Sequence, residues 1–121
     1  MANTFKVATF AAEPASAGTP YVMYTIAGST TGVVLGLILT NIHSSAVTAE
    51  VELVSTTSNR SVANNTANGT SFLIKDVTIP AGSSLEILSG GKVVLETGDV
   101  LRVDCSVADK LSGTLSLMEI T

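Results

Sequence analysis

The stretch from residue 79 to residue 103 constrains the fold more than any other. It reads Ile79-Pro80-Ala81-Gly82-Ser83-Ser84-Leu85-Glu86-Ile87-Leu88, then Gly90-Gly91-Lys92-Val93-Val94-Leu95-Glu96-Thr97-Gly98-Asp99-Val100-Leu101-Arg102-Val103. Gly, Pro and Asp recur where the backbone must reverse, and Val, Ile and Leu fill the short runs between them. The segment is therefore turn, strand, turn, strand, turn, strand. No reaction centre stands out in it.

The rest of the chain continues the pattern. Residues 4–10 alternate, with Phe5, Val7 and Thr9 on one side and Lys6, Ala8 and Phe10 on the other. Residues 11–19 are rich in Ala, Gly, Ser and Pro and read as a loop or extended arm, so 1–19 is expected to be a strand with a flexible arm. Residues 20–26 form a second strand. Residues 33–42 are almost continuously apolar, which fits a strand buried on both faces, or in the core on one side and an interface on the other. Residues 47–54 alternate, with Val47, Ala49, Val51 and Leu53 inward and Thr48, Glu50 and Glu52 outward. With Ser44-Ser45 as the turn, these two runs are expected to pair as a hairpin.

Residues 55–71 are nearly all Ser, Thr, Asn, Ala and Gly and read as a surface excursion. Strands resume at 72–79, 84–88, 92–95, 100–107 and 113–120, and Leu101, Val103, Cys105 and Val107 fall on the inward side of the fourth of these. The motif Thr25-Ile26-Ala27-Gly28-Ser29 returns as Thr78-Ile79-Pro80-Ala81-Gly82-Ser83, with one residue inserted. Such a repeat fits two equivalent strand exits in a two-sheet fold, and chance in so Ala-, Gly- and Ser-rich a chain also produces it. Eight or nine short strands without a helix predict an all-β fold, an antiparallel β-sandwich of jelly-roll type spanning 20–121.

At 121 residues the chain is one domain, long enough to bury a core without disulfide or metal. Charged residues are 13% and hydrophobic residues 45% of the chain, with a net charge of −4. The six basic residues are scattered, which argues against nucleic acid as a partner, since phosphate contacts need clustered Lys and Arg. Low charge with positive mean hydropathy fits either a well-filled core or a surface covered by other subunits. The start lacks the blocks of a signal peptide, and the longest apolar run is too short to span a membrane. The expectation is a chain made in the cytoplasm, with no membrane partner.

Candidate chemistry is sparse. His43 stands alone in a turn, without a nucleophile motif to serve. Cys105 falls on an apolar strand face, where a thiol behaves as a small hydrophobe. One His and one Cys do not make a zinc site, and Asp76, Asp99, Asp104 and Asp109 lack calcium-loop spacing. Glu50 and Glu52 share a strand face as solvated carboxylates. Three Asn-x-Ser/Thr matches, at Asn59, Asn64 and Asn68, follow from the composition of the polar loop. The absence of Trp weakens a sugar-binding reading. No catalytic residue, metal ligand or cofactor is expected.

The opening stretch resembles small β-sandwich virion proteins of tailed bacteriophages, cyanophages above all. The shared features are the turn Ile79-Pro80-Ala81-Gly82-Ser83-Ser84, the strand Leu85-Glu86-Ile87-Leu88, and the run from Gly91 to Leu101. The strand at 33–42 and the ending Leu115-Ser116-Leu117-Met118-Glu119-Ile120 are also similar, so the likeness covers residues 20–121. It implies a non-enzymatic virion component: a capsid decoration (cement) protein on the major capsid protein, or a neck or tail accessory or fibre protein. A host-surface glycan- or receptor-binding module is the alternative of another class. A homo-oligomer is expected, with Phe5, Val7, Phe10, Tyr21 and Tyr24 as interface residues.

Overall fold

The computed structural model describes residues 2–55, 69–88 and 90–121. Among them lie nine strands and no helix: β1 (Asn3–Glu13), β2 (Tyr21–Thr25), β3 (Thr31–Asn41), β4 (Val47–Val54), β5 (Thr70–Ile79), β6 (Ser84–Glu86), β7 (Val93–Leu95), β8 (Val100–Cys105) and β9 (Leu111–Ile120). One sheet runs β1-β9-β3-β6, with β7 also on β3, and the other runs β2-β8-β4-β5. Every pairing is antiparallel.

The pairing has a simple order. β1 meets β9, β2 meets β8, β3 meets β6 and β7, and β4 meets β5. The first four strands thus go out and the last five come back, as one long hairpin wrapped into two sheets. This is a jelly roll. The tip of that hairpin falls between Val54 and Thr70, the end of β4 and the start of β5; the expected polar loop is residues 55–71. Its residues 56–68, and with them most of the expected loop, fall outside the described residues; Thr70 and Ser71 already belong to β5.

Period-two alternation fills the space between the sheets. Leu111, Leu115 and Leu117 of β9 face Leu101, Val103 and Cys105 of β8 across the sandwich, together with Leu37 and Leu39 of β3 and Val47, Ala49 and Val51 of β4, all buried. Full burial of a Leu or Val side chain contributes about 1.5–3 kcal/mol, so this layer is the main source of stability.

Two expectations need correction. β3 and β4 do not form a hairpin: they lie in different sheets, and the turn between them crosses from one to the other. Asn41, wholly buried at the end of β3, explains the crossing. Its Nδ2 donates to the carbonyls of Ser45 and Ile79, both at 2.9 Å, and its Oδ1 accepts from the His43 N–H at 2.8 Å. A side chain thereby takes the place of the ladder bonds that a hairpin would have made, and ties the arch to β5. Residues 11–13 are also strand, not arm, because β1 continues past a bulge after Phe10 to pair Glu13 with Leu111.

The repeated motif does mark equivalent exits. Ile26 and Ile79, both buried, are each followed by a turn that crosses from the second sheet to the first. Ser29 in one turn and Gly82 in the other carry the left-handed backbone, at φ 56° and 69°.

Candidate functional site

The two outer faces differ sharply in chemistry. On the second sheet the register sets Val22, Arg102, Glu52 and Phe72 in one row and Asp104 beside Glu50 in the next. Arg102 Nη2 lies 2.9 Å from Glu52 Oε1, an ion pair out of hydrogen-bond alignment. Lys75 reaches Glu50 at 3.1 Å and sits over the Phe72 ring. This face carries paired charges, with Glu52 buried rather than solvated as expected from sequence, and with Val22 and Phe72 exposed among them.

The first sheet has the opposite character. Phe5, Met118, Val33 and Val94 stand side by side on β1, β9, β3 and β7. The next row holds Val7, Ser116 and Gly36, and a bulge in β3 thrusts Leu35 outward beside it. Then come Thr9, Thr114, Ile38 and Glu86. Glu86 is the single charged side chain in these rows. Phe5 and Val7 are 73% and 66% exposed, and Leu35, Ile38 and Val94 are exposed with them. Because Ser116 is short, Phe5 and Val7 on one side and Leu35 on the other flank a shallow groove of about 330 Å³. Large apolar side chains left in water and clustered on one flat face are the usual mark of a surface that other molecules cover.

The cation of β1, Lys6, also borders this groove, with its side chain half-exposed and its charge paired. Lys6 turns to the inner side, where its Nζ lies 2.7 Å from Glu119 Oε1. The other carboxylate oxygen, Oε2, accepts from Tyr24 Oη, also at 2.7 Å. Tyr24 belongs to the opposite sheet, so the carboxylate of Glu119 ties the two sheets together at one end of the sandwich. Hydrogen bonds from Lys6 and then Tyr24 hold the Glu119 carboxyl below the ordinary range for glutamate. The Lys6 ammonium is raised, chiefly by its bond to Glu119. Desolvation, followed by the bond to Glu119, raises the Tyr24 phenol.

The five residues expected at an interface separate into two groups. Phe5 and Val7 lie together on the apolar outer face. Phe10, 8% exposed, points into the sandwich, where its ring covers Gly113 and meets the Tyr21 ring at 5.3 Å. Tyr21 and Tyr24 are half-buried and pack on the core. Strand parity is the reason: Phe10 has the opposite parity to Phe5 and Val7, so it cannot share their face. Leu35, Ile38, Val94 and Met118 were not singled out from sequence. For β3 the signal was present, since a run apolar on both sides allows one side to be an interface. His43 lies in the arch after β3, and Cys105 faces the core from β8. The structure does not bring them together.

Comparisons with known protein families, with curated proteins and with solved structures find no match to this chain.

Proposed function

We propose that this chain is a non-enzymatic structural protein that becomes part of a larger particle through the outer face of its first sheet. The observation that carries the reading is that face: apolar, exposed, and with Glu86 the single charged side chain in its paired rows. Its size suits the task. Strands of ten residues and four strand positions across give roughly 600 Å² on one side, or about 1,200 Å² counted over both partners, at the lower end of stable interfaces. Many copies on one particle let contacts of that strength add by avidity.

The resemblance to β-sandwich virion proteins makes the proposal specific: a capsid decoration protein that binds and stabilises the head shell of a tailed phage, in a virion assembled in the host cytoplasm. A jelly roll alone does not decide this, because the fold serves many functions. The test mixes the purified chain with isolated heads, and separately with isolated tails, of the phage that encodes it. Wild type should co-sediment with heads, and Val94→Lys and Leu35→Lys, which place a charge in the covered face, should bind at least about tenfold more weakly. Binding to tails alone would move the protein to the tail. Binding to neither, or unchanged binding by both variants, would refute the reading.

A further inference from the structure

The sheet edges differ in how they are protected against pairing with another chain. β2 is five residues long and bulged between Val22 and Tyr24. β5 is longer, but its register shifts twice, it carries Lys75 and a left-handed Asp76, and it stops at Pro80. On the far side of β3, among the described residues, stand only the three-residue β6 and β7. Short strands, bulges, charges and Pro are the devices that keep an edge from pairing. β1 has none of them over its first eight residues. It runs in unbroken register with β9 from Asn3 to Phe10, contains no Pro there, and turns its one lysine inward to Glu119.

Among the described residues, the hydrogen bonds show which backbone groups of β1 are free. Ala2 and Thr121 exchange both N–H···O bonds, at 3.1 and 2.9 Å. Antiparallel pairs alternate between bonded and non-bonded, so Thr4, Lys6, Ala8 and Phe10 bond to β9. Asn3, Phe5, Val7 and Thr9 then direct their N–H and C=O groups toward the open side. Their side chains are those that stand on the apolar outer face.

We infer that β1 pairs antiparallel with β1 of a second copy of this chain, joining two five-stranded sheets into one continuous sheet about a twofold axis. The inference rests on the structural reading above: it names the occupant of the edge, whereas the outer face is left for the particle. A twofold axis normal to the sheet keeps the two outer faces on one side, so residues of like parity must meet. The register that uses every unbulged free residue sets Phe5 opposite the second copy's Val7, and Asn3 opposite its Thr9. Aromatic and β-branched residues facing each other across strands are a favourable pair. On the inner side Lys6 meets Lys6 across the axis, each neutralised by its own Glu119. The outer faces carry a single charge in their rows, at Glu86 on the strand farthest from the joined edge, so they add little repulsion between two chains of net charge −4, and together they double the area offered to the particle.

Val7→Pro tests this pairing with little harm to the monomer. The Val7 N–H is not part of the β1–β9 ladder, and Pro is tolerated on an edge strand whose N–H faces outward. Sedimentation velocity over a wide concentration range should show wild type as a dimer and Val7→Pro as a monomer, its association weakened at least about tenfold. Thr9→Pro should do the same and serves if the first variant unfolds. Hydrogen exchange on unmodified protein is the independent check: amides of Phe5, Val7 and Thr9 should be protected at high concentration and lose protection on dilution, while those of Lys6 and Ala8 stay protected throughout. Val94→Lys, on the same face but away from the edge, should remain dimeric and yet lose particle binding. A monomeric wild type, or Pro variants that dimerise undiminished, would overturn the edge pairing. Val94→Lys that still binds particles would count against the structural reading alone.

Discussion

Phe10 and Gly113 offer a quantitative test of how the first sheet closes over the core. They are register partners on β1 and β9, and a methyl group built on Gly113 would fall inside contact distance of the Phe10 ring atoms Cε1 and Cζ. Carbon atoms normally approach to about 3.5–4.0 Å, so the ring, boxed in by Tyr21, must be displaced. Gly113→Ala should cost about 1–3 kcal/mol, the range for overpacked cores. Phe10→Ala, which removes a ring that is nine-tenths buried, should cost about 3–5 kcal/mol. In the double variant the clash no longer exists, and the added methyl occupies part of the vacated space. Gly113→Ala in that background should be near neutral, giving a coupling of about 1–3 kcal/mol. Urea denaturation measures this through the midpoint, provided the slope is constant across the four proteins. Costs that add within about 0.5 kcal/mol would refute the packing argument. A Phe10→Ala protein of wild-type stability but altered association would return Phe10 to the interface that sequence alone suggested.

Other predictions follow from the polar anchors. Asn41→Ala leaves the carbonyls of Ser45 and Ile79 without their donor, so thermal melts should show a loss of about 2–4 kcal/mol, and a loss under 1 kcal/mol would mean that the arch holds itself. The lowered pKa of Glu119 sets a direction in pH. Its contribution to stability is fully present above the unfolded glutamate value and disappears as pH falls through the lower folded value. The gap in melting temperature between wild type and Glu119→Gln should therefore close on acidification, and a gap independent of pH would contradict the ion-pair account. Tyr24→Phe, which removes the phenol that bridges to the other sheet, should cost about 1 kcal/mol at neutral pH.

Much of this architecture was legible in the residues because it follows from local rules. Alternation alone placed Leu101, Val103 and Cys105 inward and set Phe5 and Val7 against Phe10, whereas the continuously apolar 33–42 left open whether its second side was core or interface. Punctuation by Gly, Pro and Asp located most of the turns, while the repeat at Ile26 and Ile79, which such a composition also produces by chance, was seen to fall at two crossings between sheets only in the structure. Period and turn chemistry act over a few residues, and a sequence displays them directly.

Partner choice among strands is another matter. Two adjacent alternating runs joined by a short turn look alike whether they pair with each other or lie in separate sheets. The decision between β3 and β4 fell to one buried side chain, Asn41, whose partners Ser45 and Ile79 come from the turn and from a strand distant in sequence. The choice of exposed face was also tertiary. Sequence separated Phe5 from Phe10 by parity, but nothing local says which of the two sides meets the core. That was settled by Gly113, which makes room for the Phe10 ring, and by Glu119, which pairs with Lys6 and leaves β1 without a charge on the opposite side. The sequence by itself determined the strands and the sandwich. Only the tertiary structure decided which strand pairs with which, which edge stays open, and which face is bare, because each of those depends on groups that meet only after the chain has folded back on itself.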